Sequence, residues 1–144
     1  MIERRDVVFF LLDQAPKNEG LSLYDTQSAV YSIQKSLNEK LGLDLGYKFN
    51  SSFFGIPYDA ELKADLEVWT VIGALRCLRG AGPAPLPHYE TDYIGSTYVS
   101  DYSEKALKQN LGKKGLKNLK NYMKELVSNR KFTMENVNRP TVLV

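Results

Sequence analysis

Cys77 and His88 are the only thiol and the only imidazole in the chain, so common nucleophilic, metal-ligating or proton-shuttling chemistry would have to pass through them. A zinc site needs clustered ligands, and these two stand alone across a Gly/Pro-rich segment. No metal is expected. Cys77 sits beside Leu75 and Leu78 with no evident base, which suits a small apolar role better than nucleophilic attack. His88 reads as structural or exposed. Glycine loops that cradle phosphates place their glycines at set intervals, and Gly80-Ala81-Gly82-Pro83 and Gly112-Lys113-Lys114-Gly115 satisfy no such pattern. Glu61 and Asp65 lie one helical turn apart, as a catalytic carboxylate pair could, but a solvated helix face accounts for them as well. The expectation is a protein that is not an enzyme and carries no cofactor.

Two residue groups remain that could make contacts. Tyr89, Tyr93 and Tyr98 cluster where a hairpin is expected, and Tyr58 with Asp59 forms an aromatic and acidic turn, so all five are candidate contacts for a partner. The second group is basic. Residues 105–131 hold nine Lys and Arg against Glu125 alone, a net +8, while the rest of the chain carries a net −6. Lys113, Lys117, Lys120 and Lys124 recur on successive helical turns, within about 60° of one another on a helical wheel. They are candidate contacts for a polyanion, either nucleic-acid phosphates or the acidic part of a second copy.

The elements that must position these residues follow from pattern and punctuation. Residues 7–12 are uniformly apolar, which fits a buried strand or a buried helix equally. Leu23, Val30, Ile33, Leu37 and Leu41 keep helical spacing up to Gly42, predicting a helix over 22–41. Residues 46–58, rich in Tyr and Phe around Gly55 and Pro57, read as extended or looped chain that is partly buried. Asp59 can cap a third helix, which Leu62, Leu66, Trp69, Ile72 and Leu75 carry to about 79. Alternating Tyr89, Thr91 and Tyr93, a turn at Gly95-Ser96, and Thr97 to Val99 predict a β-hairpin over 88–100. Ser103 and Glu104 open a last helical region that Gly112 and Gly115 interrupt or kink. Its apolar seam is Leu116, Leu119, Met123, Leu126 and Val127.

The expected class is mainly α with a small β-hairpin. It is a winged-helix-like α-α-α-β-β core over 1–102, a basic C-terminal helical region over 103–131 packed on the same domain, and a tail over 132–144. At 144 residues and near-average composition the chain is long enough for one core. Its apolar runs are far shorter than the roughly 18 residues of a membrane span. A single cysteine and a charged start without a cleavage site point to a reducing, cytoplasmic setting.

The segment Leu23-Tyr24-Asp25-Thr26-Gln27-Ser28-Ala29-Val30-Tyr31, then Tyr47-Lys48-Phe49, and Phe54-Gly55-Ile56-Pro57-Tyr58-Asp59-Ala60-Glu61-Leu62 with Asp65-Leu66 resemble the YwgA-like and Panacea (SocA-type antitoxin) domains. The resemblance covers about residues 4–100. It departs from the family pattern where Ile56 separates Gly55 from Pro57 and Asp59 stands for the usual Ser. It implies a helix over 4–14 rather than a strand, and regulatory or antitoxin-type protein contacts. Together these readings favour a noncatalytic regulatory or protein-interaction module. The alternative is a DNA- or RNA-binding protein that uses its basic C-terminal helix.

Overall fold

The computed structural model describes residues 2–53, 55–79 and 85–134. The apolar run forms helix α1, Arg4–Asp13, in which Asp6 and every residue from Val7 to Leu12 are buried. An apolar run with no polar face can be a helix only if neighbours cover it on all sides, and α1 is accordingly the centre of the molecule. Asp6 is compensated by hydrogen bonds: its carboxylate accepts from the neighbouring Glu3 N–H and from the distant Ser103 Oγ, each at 3.2 Å.

A two-residue strand β1, Leu21–Ser22, leads into helix α2, Leu23–Leu41. Ser22 Oγ accepts from the Asp25 N–H at 3.0 Å, and Gly42 closes the helix at φ 66°. Strands β2, Asn50–Phe53, and β3, Ile56–Tyr58, form a separate antiparallel pair. Helix α3, Ala60–Val71, starts at Asp59, whose carboxylate accepts from the Glu61 N–H at 2.7 Å.

Strand β4, Leu75–Leu78, pairs antiparallel with β5, His88–Thr91, and β5 pairs antiparallel with β1, giving the order β1-β5-β4. Helix α4, Tyr93–Tyr98, runs through a π-helical turn, Val99–Ser103, into α5, Glu104–Ser128. The protein is thus mainly helical with small antiparallel sheets. Leu107, Leu119, Met123 and Val127 of α5 join the same buried cluster as α1 and α2.

Two expected elements are corrected. Helix α3 ends at Val71, not near 79, because Gly73 takes φ 86° and the Ala74 N–H returns to Trp69 O at 2.9 Å. Residues 75–78 then become a strand that buries Leu75. The hairpin is β4 with β5, so only its second strand lies in the expected span 88–100. Residues 93–98 are helical despite their β-prone side chains. Asp92 caps them through the Tyr93 N–H at 2.8 Å, and Gly95 lies so close to Ala74 that a Cβ there would sit 2.1 Å from the Ala74 carbonyl oxygen. Gly112 does interrupt α5: at φ 75°, ψ 171° it occupies a region essentially reserved for glycine, dividing the helix into 104–111 and 113–128.

Side chains, rather than a sheet, hold the excursion between α2 and α3. Gln34 grips Tyr47, with Nε2 donating to its carbonyl at 2.9 Å and Oε1 accepting from its N–H at 3.1 Å. One heptad earlier, fully buried Gln27 grips Asp59 in the same way, at 2.9 Å in both bonds. Of the expected tail, residues 135–144 lie outside the described residues, but its start is anchored: the Asp25 carboxylate accepts from the N–H groups of Lys131 (3.0 Å) and Phe132 (2.8 Å).

Gln27→Ala would strand the buried Asp59 N–H and leave the Asp59 carbonyl with the Lys63 N–H alone, so urea denaturation should show a loss of about 1–3 kcal/mol. Gly112→Ala should cost about 1–3 kcal/mol from backbone strain alone, read as a lower melting temperature with an unchanged far-ultraviolet spectrum.

Candidate interaction surfaces

The residues that could have done chemistry are engaged structurally. His88, 1% exposed, has Nδ1 3.0 Å from Leu86 O and Nε2 3.1 Å from Phe132 O, which leaves neither ring nitrogen open to a substrate. The half-buried Cys77 thiol is pushed up from its ordinary pKa, mainly by burial, with Arg79 opposing the shift. Glu61 and Asp65 share Arg4, whose Nη2 lies 2.8 Å from Glu61 and whose Nε lies 3.0 Å from Asp65. Tyr47 completes this group, donating its hydroxyl to Asp65 at 2.7 Å beneath the Arg4 guanidinium, which is 4.7 Å from the ring centroid. Burial, and then the bond to Asp65, hold the Tyr47 phenol far above its ordinary range, so it remains a neutral donor. The cluster ties the start of α1 to α3. Among the described residues no group of three His, Cys, Asp or Glu could hold a metal.

The five candidate partner residues separate. Asp59 is buried and spends its carboxylate on the Glu61 and Lys48 N–H groups, the latter at 2.5 Å. Tyr89 is 2% exposed on the central strand β5. Neither presents a surface to a partner. Tyr58 is half-buried on β3, and Tyr98 is half-buried between Phe9, at 5.8 Å edge-to-face, and Arg5, at 5.2 Å from its ring centroid. Tyr93 is 81% exposed.

Around Tyr93 lies a surface that the sequence reading passed over. Val68, Val71 and Ile72 at the end of α3 are exposed, with Val71 at 86%, and so is Ile94 of α4. The two helix ends are brought together by the Gly95–Ala74 contact and by Gly73, from which a Cβ would reach Ile94 Cδ1 at 3.6 Å. Underneath, Phe9 packs edge-to-face on both Trp69 (5.0 Å) and Tyr98, fixing α3 and α4 to α1. On a helical wheel Val68 and Val71 fall opposite Leu62 and Leu66, and Ile72 lies on the flank between the two faces, so the signal was present as a second apolar face on one helix. Reading Ile72 into the buried seam concealed it.

The lysines occupy another side of the molecule. Lys113, Lys117 and Lys124 are exposed, and Lys120 is half-buried. The ion pairs of the described residues use Arg4, Arg5, Lys63, Arg76 and Arg130, and no lysine of α5 takes part. Comparison with family models, curated proteins and solved structures finds no match to this chain.

The Tyr89 phenol is pushed from 10.0 up to about 12, chiefly by burial. Its folded form therefore keeps a proton that the unfolded chain gives up first. Stability should be unaffected by this group below about pH 10 and should fall as pH rises from about 10 towards 12, as chemical denaturation at stepped pH would show. In Tyr89→Phe that part of the decline should be missing.

Proposed function

We propose that this chain is a noncatalytic, winged-helix-like module that binds a protein partner. Three helices, α1, α2 and α3, precede a β4–β5 hairpin, with β1 joining the sheet and the β2–β3 pair inserted before α3. That order supports a winged-helix-like reading. The observation that carries the function is the exposed apolar face of Val68, Val71, Ile72, Tyr93 and Ile94. Exposed apolar side chains are normal when scattered, but several gathered where two helix ends meet mark an interaction surface.

The position of this face also argues against α3 as a reader of DNA bases. A reading helix presents donors and cations to base edges and phosphates. The surface of α3 instead exposes Glu61, Glu67 and the three apolar residues, and Asp59 already occupies the Glu61 N–H in its first turn. The regulatory role follows from the resemblance to antitoxin-type domains and belongs to the same proposal.

The test begins with recovery of a partner from nuclease-treated native lysate and its reconstitution from purified components. Val71→Glu and Ile72→Glu, both at exposed positions, should weaken that complex by at least about tenfold, since one buried aliphatic anchor contributes roughly 1.5–3 kcal/mol. Their melting temperatures should match the wild type. A complex indifferent to both substitutions, or turnover of a small molecule that is lost on mutating a pocket residue, would refute the reading.

A further inference from the structure

We infer that the second half of α5 is a docking strip for the phosphate backbone of double-stranded nucleic acid, gripped without regard to base sequence. The strip is Lys113, Lys117, Lys120 and Lys124. These residues span about 17 Å along the helix axis and leave an amine every 5–6 Å or so. A duplex presents a regular row of phosphates on each strand, so four mobile ammonium groups spaced along one helix face can engage up to four of them. Gly112 matters here because residues 113–128 form a helix of their own phase, with no break inside the row.

Three features choose this occupant over others. First, none of the four lysines has a carboxylate within 4.0 Å among the described residues, and the two acids of α5, Glu104 and Glu125, lie before the row and on a different face. The positive charge is therefore not neutralised from within. Second, the row contains no apolar anchor. The large exposed apolar residues of the described chain lie on other elements, whereas a protein–protein interface draws its affinity from buried aromatic and aliphatic anchors. A membrane surface is disfavoured for the same reason, since Leu119, Met123 and Val127 are committed to the core and unavailable for insertion. Third, no aromatic side chain stands among the lysines to stack an unpaired base. Tyr122 instead lines the groove between α2 and α5 with Leu37, Leu41 and Leu111, so a duplex fits better than a single strand.

The strip and the apolar face are on different elements, and each can be tested with the other intact. Purified full chain is titrated into two fluorescently labelled duplex DNAs of roughly 30 base pairs and unrelated sequence. The expected dissociation constants lie within about 10⁻⁴–10⁻⁶ M at moderate salt and agree for the two sequences. The slope of log affinity against log salt should be about −3 to −4, as four phosphate contacts require. Lys117→Glu/Lys120→Glu should weaken binding at least about tenfold and flatten the slope by about 2. Lys113→Gln/Lys124→Gln, a milder pair in case the reversals disturb folding, should also weaken it. Lys17→Glu/Lys35→Glu makes the same net-charge change on other exposed positions and should have a clearly smaller effect.

The inference is overturned if no saturable binding occurs at about 50 mM salt, if the control pair weakens binding as much as the strip pair, or if a single strand of equal length binds more tightly. It also fails if the strip lysines instead govern binding to phosphatidylserine vesicles, or if their reversal dissociates an oligomer seen by sedimentation. Ile72→Glu should leave duplex binding unchanged.

Discussion

The architecture depends on one constraint: α1 has no polar side. From Val7 to Leu12 every residue is buried, and a helix of that kind is stable only inside a shell. At roughly 1.5–3 kcal/mol per large apolar side chain, covering this helix is a substantial driving force for the fold. The shell is assembled from separate stretches of chain. Trp69 of α3 and Tyr98 of α4 meet Phe9, Arg4 fastens the entry of α1 to Glu61 and Asp65, and Ser103 at the start of α5 bonds Asp6. At the other end, Asp13 Oδ1 accepts from Thr91 Oγ1 (2.8 Å) and Ser96 Oγ (3.1 Å), tying α1 to β5 and α4. Polar groups at both ends thus set the register in which apolar groups pack between them.

The shell also determines what remains outside. A helix such as α3 buries Leu62 and Leu66 against the centre, and solvation of the opposite side would ordinarily call for polar residues. Val68, Val71 and Ile72 stand there instead. On α5 the flank beside the buried seam is charged without internal compensation. Carboxylates are plentiful elsewhere, but those with the best geometry are consumed by arginines: Glu61 and Asp65 by Arg4, Glu90 by Arg76, Glu19 by Arg130. Arginine's planar fork suits such pairing, whereas exposed lysines gain little from it and remain free to act at longer range.

Legibility in the sequence tracks how local the deciding interaction is. Helix α2 could be read because its spacing and its Gly42 stop are contiguous. The break at Gly112 and the buried seam of α5 were readable for the same reason. The end of α3 was not, because Ile72 and Leu75 continue a helical rhythm and only the positive φ of Gly73, with the pairing of residues 75–78 to a strand ten residues on, interrupts it. Residues 93–98 carry β-prone side chains around a Gly95-Ser96 turn signal and so resemble part of a hairpin, whereas their helix goes with the close approach of Gly95 to Ala74, a contact between distant residues. For the candidate surfaces the lysine row was visible as a period, whereas burial of Asp59 and Tyr89 depended on Gln27 and on strand order, neither of which spacing reveals.

Gly112 also separates two anchorages. Buried Leu107 fixes the rotation of residues 104–111, and buried Leu119, Met123 and Val127 independently fix that of residues 113–128. A continuous helix would transmit any change of winding from one set to the other. With a glycine between them the two halves take separate phases, so the bearing of the lysines is set by the packing of residues 113–128 alone.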